Sequence, residues 1–425
     1  MTETDKLAVL ANGAVVAFDE TPNAGSTAMG FFMRVGSRNE ARHEWGAAHL
    51  LEHLAFKGAG PWSAAAVADR MDRLGGDINA FTTRDLTCYY AHVLDEDALD
   101  AFDLLWQLVT APRLAEEDFE RERGVVREEM RDALNDAEDR AEQAYMQALW
   151  GRHPVSHDVL GSPASLDEMT WATIRRFWRT HYHPANLVVV WVGRPSPATR
   201  ERVLERVASW PAASGVRVLR PPRPVGGFRR VPVSGDQVFV MLGWPAPPRG
   251  QRAEHATRLL TLALGGQNSS RLWQRLREQS GLAYYVGASY QPQRDYADLA
   301  LSCGVAPETI ERAVAEMGQE WGALVRKGLS RAEVERAQQQ LRRNLVFGLE
   351  TPEGRMHHVA RWVMDGYAPP DLAELLAEME AVGMDDVHRV LAELAASPHF
   401  AFGASGPEDA LSRRLQDIFL NEAEG

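Results

Sequence analysis

The sequence predicts an α+β fold of two tandem homologous domains, each a mainly antiparallel sheet with helices packed on one face. Three observations carry that prediction. The chain has 425 residues, enough for two to three domains. One order of elements (strand, helix, helix, strand, strand, helix) occurs twice, the second copy about 209 positions after the first. Strands follow one another without helical crossovers in several places, which favours antiparallel pairing.

In the first copy, residues 28–36 read as a strand and residues 46–56 as a helix. Residues 64–74 form a second helix that runs into Gly75 and Gly76, followed by strands over 77–81 and 86–93 and a helix over 96–110. In the second copy, 238–244 is the strand, 255–264 and 270–278 are the helices, and Gly281 precedes the strand 283–290. Residues 297–303 and 307–325 complete the set, and a long helix over 114–149 has its counterpart over 331–365. Between the copies, Pro211, Pro221, Pro222, Pro224, Gly226 and Gly227 cluster without an apolar period, as in a linker. The expected domains are therefore 1–210 and 228–425, joined by residues 211–227.

Composition narrows the function classes. Hydrophobic residues make up 45% and charged residues 25% of the chain, and mean hydropathy is −0.31, the profile of a globular domain. The longest apolar run, 187–192, is too short to span a bilayer. A net charge of −13 argues against nucleic acid or an anionic membrane as partner. Cys88 and Cys303 cannot build a disulfide framework or a thiolate zinc site. Residues 1–13 lack a basic segment followed by an apolar one, so the expected location is cytoplasmic.

The helix over 46–56 contains His49, Glu52 and His53. Residues three and four apart share a helical face, so these three project together while Leu50, Leu51 and Leu54 pack elsewhere. Two imidazoles one turn apart can hold one zinc ion, and a carboxylate between them can take a proton from water; the spacing is H-x-x-E-H. At the offset of 209 the second copy has Arg258, Thr261 and Leu262 in these places but keeps the paired leucines, Leu259 and Leu260. The fold needs the leucines and not the polar triad.

Catalytic zinc ordinarily has three protein ligands. On the acidic stretch 119–130, Phe119, Val126, Met130 and Ala133 form an apolar stripe, and Glu122 and Glu129 lie one heptad apart at its edge. Glu120 and Glu128 point away. Glu129 is the leading third ligand, with Glu122 as a partner behind the ligands.

Taken together, these segments resemble the pitrilysin/insulinase family of zinc metallopeptidases, in particular its short-chain branch of mitochondrial processing peptidase subunits and bacterial relatives. The resemblance rests on residues 49–53, on Asn79, Ala80, Phe81 and Thr82 after the Gly-Gly turn, and on residues 122–129. It extends to 182–186, which lead into a strand ending at Gly193, and to 276–284 in the second copy. It implies one zinc ion per chain held by His49, His53 and Glu129, with Glu52 as general base and Glu122 behind the site. It also implies that Arg277 and Tyr284 form the family's arginine–tyrosine pair, which holds substrate and stabilises the oxyanion. The edge strand with Asn79, Ala80, Phe81 and Thr82 is expected to receive an extended peptide as an added strand.

Long members of the family carry four such repeats, with zinc in the first and the pair in the fourth. With two repeats here, a complete site implies a homodimer in which each chain lends Arg277 and Tyr284 to the other's zinc. The expected activity is zinc endopeptidase; the alternative is a non-catalytic or heterodimer subunit of a related complex. Seven of the other histidines, His92, His153, His157, His181, His183, His357 and His358, are expected to be structural.

Overall fold

The apolar runs of both sequence copies become the inner strands of two sheets. The computed structural model describes residues 6–213, 219–250 and 252–424; residues 214–218 of the expected linker lie outside these. By contact the chain forms two units: Met1–Met130 with His157–Leu219 and Phe347–Pro370, and Arg131–Ser156 with Arg220–Val346 and Asp371–Gly425.

In the first unit six strands lie in the order Leu7–Val9, Val15–Glu20, Leu187–Gly193, Ser26–Met33, Thr87–Leu94, Asp77–Thr82. All neighbours are antiparallel except Val15–Glu20 with Leu187–Gly193. The apolar run of Leu187–Gly193 is explained by its place: every residue is buried, as a strand covered on both faces requires. Phe31 and Phe32 are adjacent on a strand and so point to opposite faces. Phe31 meets Phe102 of helix Ala98–Thr110, at 5.3 Å between ring centroids. Phe32 packs with Met356, Val359, Ala360 and Val363 of helix Pro352–Asp365. That helix is further tied by Arg355, which donates twice to the Asp19 carboxylate, both at 2.8 Å.

In the second unit five strands lie in the order Ala283–Tyr290, Asp298–Val305, Val238–Pro245, Ala401–Gly406, Gly227–Pro232, with only the last pair parallel. This is the connectivity of the first sheet without its outermost strand, so the tandem α+β repeat is present in the backbone. Leu259 and Leu260 of helix Arg252–Leu264 and Met317 and Trp321 of helix Ile310–Lys327 pack over one face. Helix Ala137–Trp150 covers the other, where Tyr145, Met146 and Leu149 meet Ala300 and Ala401. The approach is close at Gly403, where a Cβ would come within 2.3 Å of the Tyr145 nitrogen.

Each sheet therefore carries helices on both faces rather than one. The additional helix comes from a distant part of the chain: 352–365 lies on the sheet of the first copy and 137–150 on that of the second. A boundary drawn along the sequence near 210–228 follows the repeat, whereas the contact units exchange these helices. Both expected long helices are broken. Glu116–Asn135 stops before Asp136, whose carboxylate accepts from the Glu138 and Asp139 amides and starts a new helix. Arg331–Gly348 is followed by Thr351, which caps a helix beginning at Pro352. Among the described residues no helix is long and apolar enough to cross a membrane.

Candidate metal centre

The motif helix Ala47–Ala55 starts at Gly46, whose φ of +92° favours glycine. The buried Glu40 carboxylate accepts from the amides of Gly46 and Ala48, both at 2.8 Å, and so satisfies the first turn. Burial pushes the Glu40 carboxyl well up, with the amide donors acting in the opposite direction. Leu50, Leu51 and Leu54 are buried, which leaves His49, Glu52 and His53 on the other side, as their spacing requires.

Helix Glu116–Asn135 brings Glu129 to the two histidines. Its Oε2 lies 3.8 Å from His49 Nε2 and 3.6 Å from His53 Nε2. The three donor atoms fall within 4.8 Å of one another, and this is the one such trio among the described residues. A tetrahedral zinc with bonds of 2.0–2.1 Å has ligand–ligand edges of roughly 3.3–3.4 Å, and the two Glu129 distances lie within a few tenths of an ångström of that edge. Burial, and then the neighbouring His53, lower the His49 pKa to about 4, leaving the ring neutral and able to ligate at pH 7. His49 Nδ1 is buried with no hydrogen-bond partner among the described residues.

Glu122 takes a different position. Its Oε2 is 3.4 Å from His53 Nδ1, and its Oε1 is 3.0 Å from Lys57 Nζ. It thus meets the ring nitrogen that faces away from Glu129, the arrangement that orients a ligating histidine. Its side chain is 8% exposed, against 43% for Glu129. The better-buried carboxylate is therefore the one behind the histidine.

Glu52 accepts a hydrogen bond from the Thr82 hydroxyl. Burial raises its pKa, opposed by Thr82 and His53 and reinforced by Glu129. Thr82 ends the strand Asp77–Thr82, which lies at the sheet edge with one side unpaired among the described residues. On that strand the Ala80 amide donates to the Asn79 side-chain oxygen at 2.8 Å. Phe81 packs against Tyr90 and His357. A pocket of about 570 Å³ adjoins the strand, lined by Phe56, Ala64, Val67, Ala68, Met71 and Asn79 among others.

Arg277 and Tyr284 meet in the second unit. Arg277 lies on Trp273–Gln279, a turn with π-type bonding, and donates to the Tyr284 carbonyl. Its guanidinium is 4.9 Å from the Trp273 ring and 5.1 Å from the Tyr284 ring. The strand shifts register between Ala283 and Tyr285, and at this bulge the Tyr284 side chain turns outward, 82% exposed.

Lys57 and Trp273 escaped the sequence reasoning. Each lies four residues from a named candidate, His53 and Arg277, and helical spacing was the available signal. Other histidines have local partners: His92 contacts Ser26 and Glu353, and His357 sits among Phe32, Phe81 and Tyr90. In the second copy, Arg258 is bonded to Glu254 and the Thr261 hydroxyl to the Thr257 carbonyl, so those positions serve the fold.

The chain matches two family profiles: insulinase, peptidase family M16, over residues 15–162, and the peptidase M16 inactive domain over residues 168–341. A Mycobacterium tuberculosis protein named an uncharacterized zinc protease is 34% identical over 418 residues, covering 96% of this chain and 95% of its own. One of the same description from Streptomyces coelicolor is 32% identical, covering 97% and 92%. Among solved structures, a peptidase M16 inactive domain from Pseudomonas fluorescens superposes with a TM-score of 0.86 at 20% identity, covering 95% of this chain and 97% of that one. A Helicobacter pylori protease gives 0.85 at 22% identity, covering 95% and 99%. At those identities the two structures speak for the fold.

Proposed function

The chain belongs to the insulinase family of zinc metallopeptidases, peptidase family M16, and from that premise we propose that it is an endopeptidase cleaving extended peptides. One observation carries the reading: His49, His53 and Glu129 converge within ligand distance while Glu52 keeps a carboxylate beside them. His49, His53 and Glu129 would hold the zinc, which when bound lowers the pKa of water toward ~7 and polarises the scissile carbonyl.

Glu52 takes the proton of the attacking water and passes it to the leaving amine, so that one water and one amide become an acid and an amine. The Thr82 hydroxyl holds the Glu52 carboxylate while it does so. Glu122, through His53 Nδ1, fixes the plane of that ring. The peptide adds as a strand beside Asn79, Ala80, Phe81 and Thr82, which makes recognition tolerant of sequence because the backbone is what pairs. The repeat count supports a homodimer in which Arg277 and Tyr284 of one chain serve the zinc centre of the other.

The test is zinc content of the purified protein together with digestion of a peptide mixture read by mass spectrometry. Cleavage that is lost with chelator and restored by zinc is expected, and His49→Ala or His53→Ala should lose both metal and cleavage. A chain that binds zinc yet cleaves nothing alone contradicts the homodimer and favours the heterodimer subunit.

A further inference from the structure

Lys57 is held in place by the end of the motif helix. Its amide donates to the Leu54 carbonyl at 3.1 Å, and the next residue, Gly58, turns the chain away with φ +131°. A side chain at Gly58 would press on the Arg113 side chain and the Trp62 carbonyl, at 3.0 and 3.1 Å, so this turn has little freedom. From there the Lys57 ammonium reaches Glu122 Oε1 at 3.0 Å, while Glu122 Oε2 faces His53 Nδ1 at 3.4 Å.

A carboxylate as buried as Glu122 needs a partner on each oxygen. Glu122 has three side-chain torsions, and one long contact to His53 leaves the carboxylate free to swivel about its last bond. The contact from Lys57 fixes the second oxygen and with it the direction of the first. Lys57, Glu122 and His53 thus form a line of contacts running from the end of the motif helix to a proposed zinc ligand.

We propose that Lys57 is a positioning residue for the metal centre, holding Glu122 in the orientation that fixes the His53 ring and so setting the affinity for zinc. The inference rests on the zinc reading given above. Lys57 acts from the turn just past the motif helix, four residues after His53.

The test is the zinc dissociation constant of the full chain, measured by competition with a chromogenic chelator, with circular dichroism and the unfolding midpoint of the zinc-free forms in parallel. Lys57→Met keeps the stem of the side chain and should weaken binding about tenfold, the low end of what loss of a partner behind a ligand costs. Lys57→Gln should behave similarly, and Lys57→Arg should return affinity to within about threefold of the parent chain. In a Glu122→Gln background the same Met substitution should change affinity less than about twofold, because the effect runs through Glu122.

Unchanged affinity in a folded Lys57→Met or Lys57→Gln chain overturns the inference and leaves the zinc reading intact. An undiminished tenfold loss in the Glu122→Gln background overturns it too. A parent chain that binds no zinc overturns the zinc reading and this inference together.

Discussion

Replacing Glu52 by Gln separates chemistry from metal binding and folding. The Glu52 oxygen that accepts from Thr82 is outside the trio formed by His49, His53 and Glu129. Gln is nearly isosteric and still offers an oxygen to Thr82, so zinc content should stay at the parent level. Burial is the main influence on the Glu52 carboxyl and disfavours its charge. Removing that charge should therefore leave the stability of the zinc-free chain within about 1 kcal/mol of the parent, or slightly above it. The catalytic loss is different in scale. A general base contributes about 10²–10⁴-fold, or roughly 3–5 kcal/mol on the barrier, and kcat should fall by that factor. The assay is a quenched fluorescent peptide, with zinc by elemental analysis and the unfolding midpoint on the same preparation. Near-parental turnover, or loss of zinc together with activity, would refute the assignment of Glu52 as base outside the ligand set.

Mixing Glu52→Gln chains with Arg277→Ala chains, each inactive alone, should restore about one quarter of parental activity, since half the dimers are mixed and each has one intact site; no recovery contradicts the shared site. Burial alone would raise the Glu333 carboxyl, but hydrogen bonds from Arg271 and Ser330 outweigh it and hold its pKa down at about 2. Because the folded value is depressed, this stabilisation is present above the unfolded value of 4.5 and is lost as pH falls toward 2. After allowance for partial exposure, Glu333→Gln should cost about 1–2 kcal/mol in urea unfolding at pH 7 and less than half of that at pH 3, and an unchanged gap would contradict the assignment. Gly76→Ala places a Cβ 2.0 Å from the His92 carbonyl oxygen at φ +69°, whereas at Gly75, φ +62°, the space is open. Amide exchange in Asp77–Thr82 should therefore speed up far more for Gly76→Ala than for Gly75→Ala, and equal effects would show that the close contact is not what restrains the turn.

The local pattern was legible wherever a short segment decides its own structure. Ala64–Leu74 and Ala283–Tyr290 have the bounds that periodicity and the flanking glycines indicate, and His49, Glu52 and His53 share a face because helical spacing demands it. The breaks at Asp136 and Thr351 were signalled by capping residues, but the apolar period continues across both and masks them. Which sheet a helix covers is a matter of tertiary packing. Nothing in residues 137–150 or 352–365 says that each lies against the sheet of the other copy. For Glu129 and Glu122, spacing put both at the edge of one stripe, and spacing alone could not show which of the two faces the histidines' Nε2 atoms. Glu122 is the buried one, while Glu129 approaches both Nε2 atoms. The outward turn of Tyr284 depends on a one-residue register shift that alternation cannot reveal.

The most direct test is diffraction from crystals of the zinc-loaded chain on both sides of the zinc absorption edge. The account predicts one anomalous peak per chain, about 2.0–2.2 Å from His49 Nε2, His53 Nε2 and a Glu129 oxygen, with Glu122 against His53 Nδ1 and outside bonding distance. A peak elsewhere, or a loaded crystal with no peak between these three side chains, would contradict it.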